Sequence, residues 1–175
     1  MGRVTKKQRR TGAAVLTAVI VGAGLLWFEP WALWADETVH EALPAAAAPA
    51  AKGTVPAGPT TVAQGSFISH EHTTTGAVKI VRLADGTLTL RLEGLDTSSG
   101  PDVRVWLSDA PVKEGKAGWG VFDDGKYVNL APLKGNKGDQ NYPLPADLDL
   151  SAYTSVSIWC DRFDVSFGAA ELVRT

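Results

Sequence analysis

The sequence lacks most of the motifs on which enzyme families depend. Its 175 residues include one cysteine, Cys160, and three histidines. One cysteine cannot form an internal disulfide, so an exported domain of this size must rest on its hydrophobic core. We find no Ser–His–Asp arrangement, no glycine loop that cradles phosphate and no dinucleotide fingerprint. No hydrolase or transferase motif is therefore present, and any chemistry that we can propose passes through the thiol of Cys160.

Positive charge is scarce outside the amino terminus. From Gln64 onward the sequence carries eleven basic and fifteen acidic side chains, a net charge of −4. Proteins that bind nucleic acid neutralise phosphates with a basic patch. We therefore expect no nucleic-acid partner.

Helical periodicity and internal repeats are also missing from the region after residue 63. Short runs of alternating apolar and polar residues occur instead, with glycine and proline between them, and this pattern predicts β-strands. Short strands at spacings of about 8–12 residues are typical of antiparallel sandwiches and barrels, and we predict an all-β antiparallel β-sandwich. The predicted strands are 65–70, 77–83, 87–92, 103–108, 127–130, 140–144, 155–160 and 163–169.

The last two predicted strands form the most informative stretch. Residues 155–160 and 163–169 both alternate with period two, and the polar pair Asp161-Arg162 lies between them. A short polar turn between two alternating runs predicts an antiparallel hairpin. The lone cysteine ends the first strand of this hairpin.

Two interpretations of Cys160 follow from its position. It shares the parity of Val156 and Ile158, which favours a buried thiol that packs as a small hydrophobe. Its place at a strand end beside Arg162 favours a reactive thiol, because a folded-back guanidinium would lower the pKa of the thiol.

Four large aromatic residues offer a different kind of site. Trp106, Trp119, Trp159 and Tyr127 could stack on a sugar or a flat cofactor. Trp106 and Trp159 lie opposite the apolar parity of their strands, so they either cover a second face of the sheet or form a surface binding patch.

His70 and His72 are further candidate ligands. In the sequence His-Glu-His both imidazoles project to the same side if the segment is extended. Such a pair could ligate a metal or provide an axial ligand to haem, although paired histidines at a strand end are also common as solvated groups. We assign no metal site from the sequence.

Residues 1–35 predict a cytoplasmic basic tip followed by a single-pass membrane anchor. Five basic residues precede an apolar run at 13–28, and tryptophans follow it as in an interfacial aromatic belt. The alternative is a cleaved signal peptide, although bulky residues stand where small ones should precede the cleavage site. Either reading places the remainder outside the cytoplasm.

An alanine- and proline-rich stretch at 36–63 predicts a disordered linker between the anchor and a folded domain at 64–175. Its composition offers little that could pack into a core.

Three stretches of the folded region resemble the DM-thirteen domain family, which is described as electron-transferring and related to the DOMON β-sandwiches. They are residues 65–108, 127–145 and 149–172, with the motifs Gly100-Pro101-Asp102, Leu133-Lys134-Gly135 and Ile158-Trp159-Cys160. The resemblance implies a β-sandwich in which Cys160 is the hallmark cysteine. It also implies redox chemistry at that cysteine, as a bare thiol or as the attachment point of a prosthetic group such as haem.

Two functional hypotheses result. The first is a membrane-tethered, extracytoplasmic redox or electron-transfer module centred on Cys160, with His70 and His72 as candidate cofactor ligands and an unidentified redox partner. The second is a non-catalytic cell-envelope module that binds a glycan or a protein and uses Cys160 only as a core residue.

Overall fold

The computed structural model describes residues 36–44 and 58–175, and these residues form ten β-strands. Two single-turn 3₁₀ helices, Gly115–Gly118 and Leu150–Ala152, are the only helices in the described part of the chain. The all-β prediction is thus confirmed. The strands are β1 (Thr38–His40), β2 (Thr60–Ser69), β3 (Thr75–Arg82), β4 (Leu88–Asp96), β5 (Val103–Ser108), β6 (Tyr127–Pro132), β7 (Lys137–Pro143), β8 (Ser155–Cys160), β9 (Val165–Glu171) and β10 (Val173–Arg174).

The predicted membrane anchor at residues 1–35 lies outside the described residues. Within residues 36–44 and 58–175, no helix has the length and hydrophobicity that a membrane crossing requires.

All ten strands belong to one curled, mixed sheet. Its order is β1-β7-β4-β3-β2-β9-β8-β5-β6, and β10 pairs with β2. The prediction of an antiparallel sandwich of two separate sheets was therefore wrong in its architecture. The cause is β2, which pairs with β3 from Thr60 to Ser66 and with β9 from Phe67 to Ser69, so that one strand runs through both halves.

The curled sheet encloses the main hydrophobic core. Alternate residues of the strands point inward, as the period-two pattern predicts, and burial of each large aliphatic side chain stabilises the fold by about 1.5–3 kcal/mol. The core residues of the central strands include Val78, Ile80, Leu90, Leu92, Val105, Leu107, Val156, Ile158 and Cys160.

A second, smaller core lies on the outer face of β5, β8 and β9. The loop at 109–126 folds over this face, and its Phe122 packs with Trp106 and Trp159. The loop is closed by Asp109, whose backbone N–H donates to the Lys126 carbonyl at 3.0 Å. Trp106 is 4% exposed and Trp159 is fully buried, so these tryptophans cover a second sheet face, and the surface-patch alternative is wrong for them.

The prediction of a disordered linker at 36–63 is wrong for strand residues at both described ends of this range, 36–44 and 58–63. Strand β1 pairs in parallel with β7, Thr38 opposite Lys137, and β2 begins at Thr60. The Asn136 side chain secures the first end: its Oδ1 accepts from the Glu37 backbone N–H at 2.7 Å, and its Nδ2 donates to Asp36 Oδ1 at 2.8 Å. Because β1 forms only by adding to the edge of another strand, its own three residues contain no signal for it.

Candidate functional site

Cys160 is the last residue of β8 and lies in the main core. Its Cα is paired with that of Val103 on β5 and that of Val165 on β9, and the side chain is fully buried. The hairpin turn is longer than predicted and covers residues 161–164, with Asp164 in the left-handed region at φ 50°. The turn folds back over the end of β8, where the Phe163 backbone N–H donates to the Cys160 carbonyl at 3.3 Å.

Burial raises the pKa of the Cys160 thiol, since the low-dielectric core disfavours the thiolate. The backbone N–H groups of Arg162, Phe163 and Asp102 lower that pKa by hydrogen bonding, and the negative charge of Asp102 raises it. Arg162 thus acts on the sulfur through its backbone. Because its pKa is raised, the sulfur is protonated at neutral pH and a poor nucleophile, although the backbone groups of Arg162, Phe163 and Asp102 oppose part of that shift.

Two surface clefts adjoin the two strand neighbours of Cys160. Val103 lines a cleft of about 330 Å³ that also includes Asn136, here named the Asn136 cleft. Val165 lines a cleft of about 320 Å³ that also includes His72, here named the His72 cleft. The segment 99–101 contributes to both clefts. Both clefts thus adjoin residues that are paired with Cys160, although its own side chain is fully buried.

His72 lies in the wall of the cleft named after it. Its Nε2 is 2.6 Å from a carboxylate oxygen of Glu71, and its ring meets the edge of Phe167 with centroids 4.0 Å apart. The same cleft is lined by Trp119 and by Phe163, whose side chain is 62% exposed. An imidazole, a carboxylate and three aromatic rings thus surround one small opening.

His70 lies on the other side of the sheet, under the loop at 109–126. Its Nε2 is 3.0 Å from the Lys113 carbonyl, so this nitrogen carries the proton, and Nδ1 accepts from Ser166 Oγ at 2.8 Å. Ser157 Oγ continues the chain at 2.9 Å from Ser166 Oγ. The ring is 5.8 Å from that of Phe122, and the residue is 8% exposed. Both ring nitrogens are thus committed to protein groups.

The structure does not bring Cys160, His70 and His72 into one cavity. The thiol faces the inner core, His70 belongs to the outer face, and His72 is paired with Glu71 at a cleft. Among the described residues, no three His, Cys, Asp or Glu side chains are grouped as a metal site requires. These three residues therefore do not fit a haem held jointly by the thiol and the imidazoles.

A stack of aromatic rings beside the cysteine was not foreseen from the sequence. Tyr127 lies on Trp106 with centroids 4.1 Å apart and an interplanar angle of 4°, and Trp106 lies on Trp159 at 4.8 Å and 22°. The shared outward parity of Trp106 and Trp159 was the available signal. Nothing in the sequence placed Tyr127 over Trp106, because it arrives from the far side of the loop at 109–126.

Comparison with known proteins identifies one family. A family model described as "Electron transfer DM13" matches residues 66–172, well over half of the chain. No curated protein and no solved structure matches the sequence. The matched residues include Cys160, its strand neighbours Val103 and Val165, and the three stacked aromatic residues.

The burial of Cys160 predicts slow chemical modification. We expect a maleimide reagent to label the native protein far more slowly than the urea-unfolded protein, because the reagent must contact the sulfur. In a Cys160→Ser background, Ser151→Cys places a thiol on an exposed residue and should react at once. Equal rates for native Cys160 and this surface thiol, measured by mass spectrometry, would contradict the buried position.

The buried His70 predicts a pH dependence of stability. Burial lowers its pKa in the folded state, and the Lys113 carbonyl opposes this only in part. The unfolded chain, with a histidine pKa of about 6.5, therefore binds the proton more readily below that pH. The contribution of His70 to the free energy of unfolding should be fully present above pH 6.5 and should decrease as the pH drops towards 5.

Urea titrations between pH 5 and pH 7 measure this effect. The carboxylates with lowered pKa, such as Glu41 and Glu93, lose their contribution only at lower pH. His70→Gln should flatten the slope in this window, and a slope as steep as that of the unaltered protein would show that another group causes it.

Proposed function

The chain belongs to the electron-transfer DM13 family, and on this basis we propose that its β-domain is an electron-transfer module in which the sulfur of Cys160 is the redox group. The family supports the coarse role in electron transfer. The position of the thiol supports the finer assignment to Cys160.

The observation that carries the proposal is a fully buried thiol at the end of β8, with the backbone groups of Arg162, Phe163 and Asp102 lowering its pKa against the effect of burial. Disulfide exchange requires one sulfur to attack another through a mixed disulfide, and the covered position of Cys160 blocks that contact. A single electron can leave a covered group without forming a bond to it. Burial therefore favours electron transfer over thiol–disulfide exchange.

The step is a one-electron oxidation. The thiol first loses its proton to solvent, and the N–H groups of Arg162, Phe163 and Asp102 stabilise the resulting thiolate. The thiolate then gives one electron to an acceptor and becomes a thiyl radical, and the reverse step restores it. We propose that the acceptor is the one-electron redox centre of a partner protein, with no haem held by Cys160, His70 and His72.

Voltammetry of the full-length protein adsorbed on an electrode tests this assignment. We expect a reversible one-electron response in the unaltered protein and none in Cys160→Ser. The matched control is Cys160→Ser with Ser151→Cys, which has one thiol in a solvated place and should not restore a reversible response. A response that survives in Cys160→Ser, or none in the unaltered protein, would refute the proposal.

We further propose that the domain is held at the extracytoplasmic side of the cell membrane by residues 1–35. The five basic residues before the apolar run at 13–28 support this orientation. After cell fractionation and carbonate extraction, the full-length protein should stay in the membrane pellet, and a variant without residues 1–35 should not. Release of the full-length protein by carbonate would argue against an anchor.

A second candidate function is a binding module of the cell envelope. The His72 cleft favours it, because Phe163 is 62% exposed next to Trp119, and exposed rings beside a cleft can stack on a sugar or a flat ligand. In this function Cys160 only fills the core.

Binding to isolated cell-wall glycan separates the two functions. If the protein is a binding module, Phe163→Ala should weaken binding, while Cys160→Ala should leave it intact and lower the free energy of unfolding by about 1–3 kcal/mol through lost packing. Loss of binding in a folded Cys160→Ala variant, checked by circular dichroism, would exclude this function.

A further inference from the structure

We infer that Tyr127, Trp106 and Trp159 form a route for single electrons between the protein surface and Cys160. The inference rests on the proposed function, to which it adds the path that the electron takes.

The three rings make a continuous line from solvent to Trp159, the residue next to Cys160 in β8. Tyr127 is 44% exposed, Trp106 is 4% exposed and Trp159 is fully buried. The centroid distances are 4.1 Å for the first step and 4.8 Å for the second, and both pairs are stacked with nearly parallel planes. Trp159 and Cys160 are consecutive in β8, so a single peptide unit joins the last ring to the residue that carries the sulfur.

The side-chain chemistry of the line suits electron hopping. Phenol and indole rings, with cysteine sulfur, are the side chains that lose one electron most readily. Phe122 also contacts Trp159, edge-on at 6.4 Å, but its benzene ring is too hard to oxidise to act as a relay. Among the ring contacts of the described residues, the relay therefore has one path through the outer cluster, and that path ends at the exposed Tyr127.

The indole nitrogens of Trp106 and Trp159 suit electron hopping, and they share this property with the indole nitrogen of Trp119 outside the stack. Both Nε1 atoms are buried, and no group in the described part of the chain accepts their hydrogen. A buried donor without a partner costs stability, and such groups in a folded protein call for a reason. An oxidised indole that has no acceptor keeps its proton, so its positive charge moves to the next donor and is not trapped as a neutral radical.

The electrons balance as follows. An outer-sphere one-electron oxidant, such as a metal centre of the partner, takes one electron from Tyr127, and the phenol proton goes to water. Electrons then pass from Trp106 to Tyr127, from Trp159 to Trp106 and from the Cys160 sulfur to Trp159. The thiol proton goes to water, and Tyr127 regains a proton from water. The net change is one electron from the thiol to the oxidant and one proton from the thiol to water, which leaves a thiyl radical and three restored rings.

Flash photolysis of the full-length protein with a ruthenium tris-bipyridyl complex tests the route. The photogenerated ruthenium(III) is a bulky oxidant that reacts at the surface. Transient absorption then follows the tyrosyl radical, and the part of the signal that Tyr127→Phe removes belongs to Tyr127. In the unaltered protein this radical should decay quickly, because an electron from Cys160 reduces it. In Cys160→Ser its lifetime should be severalfold longer.

The decisive variant is Trp106→Phe, which keeps an aromatic ring in place and removes the relay. Here the Tyr127 radical should live as long as in Cys160→Ser although the thiol is still present. Trp119→Phe is the matched control, since Trp119 lines the His72 cleft and none of the ring contacts in the described part of the chain joins it to the stack. It should leave the decay unchanged. Fluorotryptophan incorporated biosynthetically keeps the packing and makes the indoles harder to oxidise, so it should also lengthen the lifetime even if Trp106→Phe does not fold.

The outcomes separate the route from the proposed function. If voltammetry shows that Cys160 is redox-active but folded Trp106→Phe and the fluorotryptophan protein keep the fast decay, the route is wrong and the function stands. If the Tyr127 radical lives equally long in the unaltered protein and in Cys160→Ser, the route is also wrong. If voltammetry shows no role for Cys160, the function fails together with the route that depends on it.

Discussion

The architecture depends on one constraint: strand β8 is buried on both of its faces along its full length. Its inward side chains Val156, Ile158 and Cys160 pack into the main core, and its outward Trp159 packs under the loop at 109–126. A strand covered on both sides must satisfy two packing requirements at alternate residues. The curl of the sheet meets the first requirement, and the long loop meets the second.

This double burial determines what chemistry the domain can perform. A sulfur enclosed by the core cannot meet a second sulfur or a substrate, so bond-forming reactions at Cys160 are disfavoured. The backbone groups of the turn at 161–164 and the rings stacked on Trp159 are compatible with electron transfer between the buried thiol and the protein surface. The two histidines, one locked into a serine network and one paired with Glu71, do not join the thiol.

Local alternation predicted much of the fold. Strands β5 and β8 begin and end at the predicted residues, and the inward parity of Cys160 follows from the same alternation. Errors arose where pairing decided the structure: β1 forms against the edge of β7, and β2 starts five residues before the predicted strand because β3 and β10 pair with its first half. The sequence could not decide whether Trp106 and Trp159 are buried or exposed. The loop that covers them has no periodic pattern from which its position could be predicted.

By itself the sequence determined an all-β domain, its family, and a lone cysteine on the inner face of a strand, because side-chain alternation and family motifs are local properties of the chain. Only the tertiary structure decided that the strands form one curled sheet, that the thiol and the imidazoles stay apart, and that Tyr127 lies on Trp106. The physical reason is that these features depend on contacts between residues distant in sequence. Such contacts are set by how the whole sheet curls and by how the loop at 109–126 packs on it.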